Sequence, residues 1–277
     1  MAIGGKVIGD CLECPFHGWR FDGSGQCIDI PYTSGNIPEA AKVRSYPVLE
    51  RHGLLFFFYH EDSKVSPCWE PPVLDDIDVT KNVYFHGKSE HHVYAHIQDI
   101  PENGADIHHL SFVHRSFAFV WLQWILEHRW DAAWDTGGPG REFMSDMYIS
   151  QAFRIFGYDL DMWIRTNINQ VGPGIVTFVV HIPLLGRLVS VETVTPLGKY
   201  HQCVKHYMYG TRWVPIWIGK LFLQFMLRQF ERDIPIWNNK IHRRKPVLVK
   251  EEGVIMRYRR WYAQFYSTEK KSKRTED

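Results

Sequence analysis

The middle of the chain alternates between short apolar runs and turn residues. Residues 143–209 are rich in Val, Ile, Thr, Tyr and Phe. Runs of this kind, bounded by glycine or proline, are typical of antiparallel strands. The pattern predicts five or six strands in a long curved sheet, with one face free to line a cavity. The interruptions stand at Gly157, at 172–174, at Gly186 and at 196–198.

A second pattern, nearly all apolar, covers residues 213–230. Its polar residues Lys220, Gln224 and Arg228 recur every four positions, which places them on one narrow stripe of a helix. The segment is too short and too charged to span a bilayer. It predicts a core helix packed on the sheet. The alternative is a helix that forms a substrate entrance and dips into a membrane surface.

Shorter β patterns fill the first part of the chain. Residues 21–28 read as strand, turn and strand, and a stretch rich in Pro, Ser and Asp after residue 60 predicts a linker. The sequence therefore predicts an α+β protein of two domains. They are a small all-β domain over 1–65 and a larger domain over 66–266, followed by a charged, disordered tail over 267–277.

Length and composition agree with this division. The 277 residues exceed one average domain, and the 45% that are hydrophobic supply a sizeable core. The formal charge of +1 disfavours a nucleic-acid partner. Five cysteines, odd in number and unevenly placed, make a poor disulfide framework and favour a reducing compartment.

The first ten residues contain no long apolar run, so they predict neither a signal peptide nor a membrane anchor. They read instead like the middle of a folded segment. We therefore expect a longer parent protein, with a further segment before residue 1.

Residues 102–114 concentrate two carboxylates, an amide and three histidines. His109 and His114, with one carboxylate from elsewhere, would form the donor set that holds non-haem Fe(II) on one face. Asp233 is the candidate carboxylate, and Glu231 is the alternative because a nearby proline can distort the helix. The competing interpretation is a buried helix end whose histidines are satisfied by hydrogen bonds, but the clustering favours a metal.

The spacing of the histidines restricts the local structure. Asp106 and His109 are three residues apart and share a helix face, whereas His109 and His114 are five apart. At about 3.6 residues per turn the two histidines diverge. A regular helix cannot direct both at one metal, so we expect it to end or bulge near residues 110–112.

A second ligand-like motif lies in the first domain. The segment Cys14-Pro-Phe-His17-Gly-Trp offers a thiolate and an imidazole in a tight loop. Taken alone, it would also fit a zinc half-site or a plain turn. Followed by Phe-Asp-Gly-x-Gly, it resembles the second ligand loop of Rieske 2Fe–2S domains, in which two cysteines and two histidines hold the irons. The resemblance implies that Cys14 and His17 are cluster ligands.

A Rieske centre also needs an earlier Cys-x-His loop, and the residues before Cys14 contain no histidine. Two of the four cluster ligands are therefore missing from this sequence. We expect the chain by itself to lack a complete cluster, and we interpret it as part of a longer protein.

The histidine-rich stretch carries a related resemblance. Asn103-x-x-Asp106-x-x-His109-x-x-x-x-His114 is similar to the mononuclear iron motif of Rieske-type oxygenases. The resemblance implies that His109, His114 and Asp233 bind Fe(II). It also implies that Asp106 relays an electron between subunits and that Asn103 supports the ligands from behind. The fold implied for the larger domain is a helix-grip (START-like) fold.

Nearly the whole chain is similar to the Neverland-type cholesterol 7-desaturases of animals, most clearly in residues 5–21, 98–114 and 117–134 and around Asp233. The resemblance implies conversion of cholesterol to 7-dehydrocholesterol with O2 and electrons from NAD(P)H. One alternative is hydroxylation of a 3-ketosteroid by the same machinery. The other is a catalytically dead sterol-binding module, because half of the Rieske ligands are missing.

The resemblance also implies partners and a location. They are a sterol substrate, an electron-donating reductase, a homotrimer in which Asp106 works between subunits, and a membrane surface. For the full-length parent, the implied location is the cytosolic face of the endoplasmic reticulum. No transmembrane segment is predicted within this chain.

Overall fold

The computed structural model describes residues 1–115, 126–182 and 184–266. The chain forms two compact units, Met1–Glu70 and Pro71–Asp277. The tail predicted over 267–277 lies outside the described residues, as does a part of the resemblance segment 117–134. The domain boundary expected after residue 65 stays a prediction.

The first unit is built from short antiparallel strands. Four of them form one sheet in sequence order, and two more form a separate hairpin. Its small core contains Phe21, Cys27 and Ile30. The predicted small β domain is confirmed. The strands are β1 (Lys6–Ile8), β2 (Cys11–Glu13), β3 (Arg20–Phe21), β4 (Cys27–Asp29), β5 (Val48–Arg51) and β6 (Leu54–Phe57).

The second unit is organised around a seven-stranded antiparallel sheet. The strand order is β7-β13-β12-β11-β10-β9-β8, so the first strand of this unit pairs with its last. Residues 143–209 contribute five strands, which confirms the predicted sheet. The strands are β7 (Val83–Val93), β8 (Leu126–Thr136), β9 (Met144–Ile155), β10 (Tyr158–Val171), β11 (Ile175–Ile182), β12 (Gly186–Gly198) and β13 (His201–Thr211).

In the described part of the chain, two short helices lie between β7 and β8, and two longer ones follow β13. The long helix α3 continues nine residues beyond the apolar run that predicted it, and Pro235 lies inside it. The reason is that buried side chains continue at helical spacing through Phe230, Asp233 and Trp237, and this packing outweighs the hydrogen bond that proline removes. The helices are α1 (Asp99–Glu102), α2 (His109–Val113), α3 (Ile216–Asn239) and α4 (Gly253–Tyr262).

Helix α3 approaches the sheet closely at His86 on β7. The imidazole lies between Gly210 on β13 and Gly219 on α3, and a Cβ atom on either glycine would overlap the ring. Burial, and next the charge of Lys220, lower the pKa of His86. The two glycines thus allow the helix to cross directly over the sheet.

Helix α4 packs on the opposite end of the sheet. Its aromatic residues Tyr258, Trp261 and Tyr262 form one buried cluster with Trp134 and Met147. Burial of each large apolar side chain contributes about 1.5–3 kcal/mol. This cluster holds α4 against the strands next to the site described below.

Candidate active site

Two histidines and a carboxylate meet in the second unit. His109 begins α2, His114 directly follows the end of α2, and Asp233 lies on α3. One ligand atom of each lies within 4.8 Å of the others. His114 Nε2 is 3.3 Å from Asp233 Oδ1, and both side chains are buried. The structure therefore brings together the three residues that the sequence analysis selected.

The helix that carries His109 ends before His114, so the two histidines can face one point despite their spacing of five residues. Helix α2 has only five residues and ends at Val113, one residue beyond the predicted range. His114 leaves the helical conformation with φ −107° and ψ 15°, although its N–H still donates to the carbonyl of Leu110. The ring centroids of His109 and His114 lie 5.0 Å apart, with planes 80° from parallel. The early helix end lets both rings face one point.

Each histidine is oriented by a hydrogen bond from its other ring nitrogen. His109 Nδ1 donates to the backbone oxygen of Asp106, and His114 Nδ1 donates to Gln229 Oε1 at 3.1 Å. A hydrogen bond at one nitrogen selects the tautomer and leaves the other nitrogen as an unprotonated ligand. Gln229 was missed by the sequence analysis. Its position, one helical turn before Asp233, was the available signal.

Asp106 and Asn103 lie behind these ligands. The Asp106 carboxylate accepts a hydrogen bond from the backbone N–H of His109 at 3.4 Å. Asn103 Oδ1 accepts one from Trp237 Nε1 at 3.3 Å, which ties the end of α1 to α3. Both residues thus position the loop that carries the histidines. The electron-relay role of Asp106 stays a prediction.

Glu231, the alternative carboxylate, has different partners. It forms an ion pair with Arg228 at 3.0 Å, and His91 Nε2 lies 3.7 Å from its carboxylate. Its side chain is 39% exposed, whereas the Asp233 side chain is 10% exposed. Of the two acids, Asp233 is therefore the one whose carboxylate faces the histidines.

His128 on β8 is a buried imidazole that interacts electrostatically with His114. Its Nδ1 accepts a hydrogen bond from Gln151 Nε2 at 2.6 Å, which favours the neutral ring. Burial is the main cause that lowers the pKa of His128 to about 4, and the charges of Arg232 and His114 add to it. The surroundings of His128 thus favour its uncharged form.

We expect the metal-free protein to lose stability in mildly acidic solution because of His128. The folded pKa of about 4 lies below the unfolded value of 6.5, so the unfolded state binds more protons between these two values. The stabilisation is complete above pH 6.5 and is lost as the pH falls through about 4. At about 1.4 kcal/mol per pKa unit, the loss reaches about 3 kcal/mol. Urea unfolding between about pH 4 and pH 6.5 measures this effect. The free energy of unfolding should depend less steeply on pH in His128→Asn than in the wild-type chain, and equal slopes would contradict the expectation.

The Cys14–His17 loop of the first unit is a closed turn. Gly18 N–H donates to the carbonyl of Cys14 at 2.9 Å, and Cys14 N–H donates to the carbonyl of Trp19 at 2.8 Å. Gly18 has φ +72°, a conformation that favours glycine. His17 is exposed and Cys14 is half-buried. The thiol and the imidazole are donors of the types that a Rieske cluster takes.

A cavity of about 180 Å³ opens beside the three ligands, between α3 and the sheet. His109 and Asp233 line it, and its walls are mostly apolar. The cavity therefore offers an apolar surface to a ligand next to the three side chains. The apolar lining includes Ile100, Leu110, Trp134, Met147, Ile149, Ile168, Val176, Phe178, Met226, Phe230 and Trp237.

A second group of ligand-type side chains, Glu90, His92 and Cys203, lies across the paired strands β7 and β13. The ammonium of Lys205 lies 3.2 Å from the Glu90 carboxylate. This ion pair neutralises the carboxylate, and Glu90 and His92 are exposed. We therefore do not interpret the group as a metal site.

Comparison with known families agrees with this architecture. The 3-Ketosteroid 9alpha-hydroxylase C-terminal domain family matches residues 58–266, and the Rieske [2Fe-2S] domain family matches residues 1–47. The chain belongs to the Rieske oxygenase family. Membership in this family indicates an iron–sulfur cluster and a mononuclear iron as cofactors.

Curated members of the family include close relatives of this chain. It is 40% identical to "Cholesterol 7-desaturase nvd 1" of Ciona intestinalis, over 96% of this chain and 58% of the relative. It is also 40% identical to "Cholesterol 7-desaturase nvd" of Xenopus laevis, over 96% of this chain and 61% of the relative. The oxygenase component of 3-ketosteroid-9-alpha-monooxygenase from Rhodococcus rhodochrous is 28% identical, over 95% of this chain and 67% of the relative. The chain thus spans about three fifths of the two desaturases.

Solved structures share the fold. The Pseudomonas putida CBB5 NdmA QL mutant with caffeine superposes with a TM-score of 0.67 at 19% identity, over 94% of this chain and 72% of that one. This likeness confirms the predicted fold class. None of the helices in the described ranges combines the length and apolarity needed to cross a bilayer.

Proposed function

We propose that this chain supplies the catalytic iron site, and part of the Rieske domain, of a cholesterol 7-desaturase. The supporting observation is its 40% identity with two curated desaturases, which extends over 96% of the chain and through both units. In the proposed reaction cholesterol loses two hydrogen atoms to give 7-dehydrocholesterol. Dioxygen, with two electrons from NAD(P)H and two protons, is reduced to two waters.

We propose that His109, His114 and Asp233 hold Fe(II). Two imidazoles with free Nε2 atoms and one carboxylate are the donor set of non-haem iron oxygenases. When bound, the iron would supply the activation of dioxygen, and a 2Fe–2S cluster with Cys14 and His17 among its ligands would supply electrons. The hydrogen bonds to His109 and His114 hold both rings in place before the metal binds.

The other residues of the proposed site bind and orient the sterol. The apolar walls hold a rigid ring system and exclude water from the reacting carbons. Asn103 and Gln229 hold the ligand-bearing segments at their observed positions. In the proposal Asp106 connects His109 to the electron donor of a neighbouring subunit, and the proposed oligomer is a homotrimer.

The proposed partners include a reductase that takes electrons from NAD(P)H, and a membrane surface. At the start of α3, Trp213 and Trp217 are 75% and 66% exposed, and Arg212 and Lys220 lie beside them in the sequence. Exposed tryptophans next to basic residues are typical of segments that lie on membrane surfaces. We therefore propose association with the cytosolic face of the endoplasmic reticulum. Sedimentation with phospholipid vesicles tests the membrane contact, and light scattering tests the trimer.

The test of function is a product assay with the chain extended by the Cys-x-His loop that a Rieske centre needs, together with a reductase, NADPH and cholesterol. The expected product is lighter than cholesterol by two hydrogen atoms, and its formation should require iron. Binding of cholesterol with no turnover would favour the sterol-binding module instead. Failure to bind cholesterol at all would contradict both readings.

Hydroxylation of a 3-ketosteroid is the second candidate function. The family description that covers residues 58–266 and the Rhodococcus rhodochrous relative both support it. The same assay with a 3-ketosteroid separates the two candidates, because hydroxylation makes a product heavier by one oxygen atom.

A further inference from the structure

A row of mostly polar residues crosses the sheet at the cavity. The strand registers place Ser89 beside His206, His206 beside Glu192, and Glu192 beside Val176. Three of these residues, His206, Glu192 and Val176, line the cavity next to the proposed iron ligands. The row therefore brings an acid and an imidazole, 14 residues apart in the chain, into an otherwise apolar wall.

Glu192 and His206 form a buried, hydrogen-bonded pair. His206 Nε2 lies 2.9 Å from Glu192 Oε2, and the two side chains are 1% and 9% exposed, respectively. On the other side of the ring, His206 Nδ1 lies 3.1 Å from the hydroxyl of Ser89. The ring of Phe230 packs on His206 with centroids 4.8 Å apart. The imidazole is therefore held from three sides.

Both ring nitrogens of His206 have a hydrogen-bond partner, whereas the Glu192 carboxylate uses one of its two oxygens within the described part of the chain. His206 donates from Nε2 to Glu192 Oε2, and Nδ1 is occupied by Ser89. Among the described residues, His206 is the one side chain hydrogen-bonded to the Glu192 carboxylate. An ionised carboxylate is an acceptor at both oxygens. Glu192 thus presents an unused acceptor, Oε1, at the wall of the cavity.

Because Oε1 lies at the cavity wall, a ligand that displaces water from it without donating a hydrogen bond leaves a carboxylate oxygen unpartnered, which is costly. The cost is absent when the ligand donates a hydrogen bond to the carboxylate. A hydroxyl group can do this, whereas a ketone oxygen can only accept and would place its lone pairs against those of Glu192.

We propose that Glu192, positioned by His206, is the polar anchor of the cavity and binds the hydroxyl group of a hydroxysterol. The anchor selects a 3-hydroxysterol over the corresponding 3-ketosteroid. This inference rests on the proposed sterol function and deepens it. It would give a chain that is similar to relatives of both substrate classes a means to distinguish between them.

The test is equilibrium binding of two ligands to the metal-free full chain, followed by quenching of tryptophan fluorescence, because Trp134 and Trp237 line the cavity. The ligands are cholesterol and its 3-keto counterpart, cholest-4-en-3-one. We expect the wild-type chain to prefer cholesterol by about 10- to 100-fold, the worth of one hydrogen bond to a charged group. In Glu192→Gln the preference should fall to less than about 3-fold, because a carboxamide both donates and accepts.

The matched control is Glu90→Gln, the same substitution at an exposed position of β7. It should keep the wild-type preference. If Glu192→Gln fails to fold, the 3-methyl ether of cholesterol replaces the variant, because it retains the oxygen but cannot donate. Its affinity for the wild-type chain should fall by the same factor as that of the ketone.

The outcomes separate this inference from the proposed function. Equal binding of cholesterol, the ketone and the ether by the wild-type chain would overturn the anchor but leave a sterol pocket. An unchanged preference in Glu192→Gln would also overturn it. Binding of none of the three ligands would overturn both the anchor and the sterol function.

Discussion

Asp233→Asn is expected to lose most of the mononuclear iron that the wild-type chain binds. The substitution keeps the size of the side chain but removes the charge that faces His109 and His114. Residues that only support a metal ligand change metal affinity by about 10- to 100-fold. Loss of a ligand charge should therefore weaken Fe(II) binding by more than about 100-fold. The proposed catalytic activity should fall with the iron content.

The measurement is iron per chain after anaerobic reconstitution, under competition with a chelator. Acid-labile sulfide reports any cluster iron, which is subtracted to leave the mononuclear iron. Glu231→Gln is the control, because Glu231 is two residues away but pairs with Arg228 and His91. It should retain wild-type iron content. Iron lost from Glu231→Gln and kept by Asp233→Asn would assign the ligand to Glu231, and zinc bound in place of iron in the wild-type chain would contradict the oxygenase site.

Arg259→Ala is expected to lower the free energy of unfolding by about 3 kcal/mol or more, because it leaves a buried carboxylate without its main partner. Arg259 on α4 donates to both oxygens of Glu102 on α1, at 2.8 and 2.7 Å. Side-chain exposures are 10% for Arg259 and 5% for Glu102. After the substitution Glu102 keeps Gln98, at 3.0 Å, and Lys240, at 3.6 Å.

The same cluster of charges continues to Asp99, at the start of α1. His242 and Lys240 lie 3.0 and 3.2 Å from its carboxylate. Burial acts to raise the pKa of Asp99, but the hydrogen bond from His242 and the charge of Lys240 outweigh it, and the pKa lies below its usual value. Helix α1 leads directly into the segment with Asn103 and His109. Loss of Arg259 should therefore also loosen the proposed iron site.

Urea unfolding of the metal-free chain measures the effect of Arg259→Ala. Arg259→Lys should recover only part of the loss, because one ammonium cannot span both oxygens of Glu102. The control is Arg141→Ala, which breaks an Arg–carboxylate pair with Asp146 whose arginine side chain is 47% exposed. Exposed pairs contribute about 0–1 kcal/mol. Equal losses in Arg259→Ala and Arg141→Ala would show that burial of the pair adds nothing.

Local features of the site could be predicted from nearby residues. The spacing of His109 and His114 rules out a continuous helix between them, and α2 does end between the two, at Val113. The end point differed by one residue because the N–H of His114 still closes the last turn on Leu110. Hydrogen bonds of this kind decide helix boundaries, and residue spacing does not encode them.

Long-range partners were harder to predict. The sequence indicated Asp233 as the candidate carboxylate ligand and could not exclude Glu231. The two residues lie on the same helix and differ only in the direction in which the side chain points. The sequence did not predict the pair Glu192 and His206. Neither residue belongs to a motif, and their pairing depends on the register of β12 against β13. A register shift of one residue would turn either side chain to the other face of the sheet.

The sequence by itself determined the domain types, the antiparallel sheet, the ligand-rich segment around His109 and the family. These follow from alternation, turn residues and motifs that act over a few neighbouring positions. Only the tertiary structure decided that α3 continues through Pro235, that Asp233 faces the two histidines, and that an acid–imidazole pair stands in the cavity wall. Those outcomes depend on the packing of α3 against the sheet and on strand register, where distant residues compete for the same buried space.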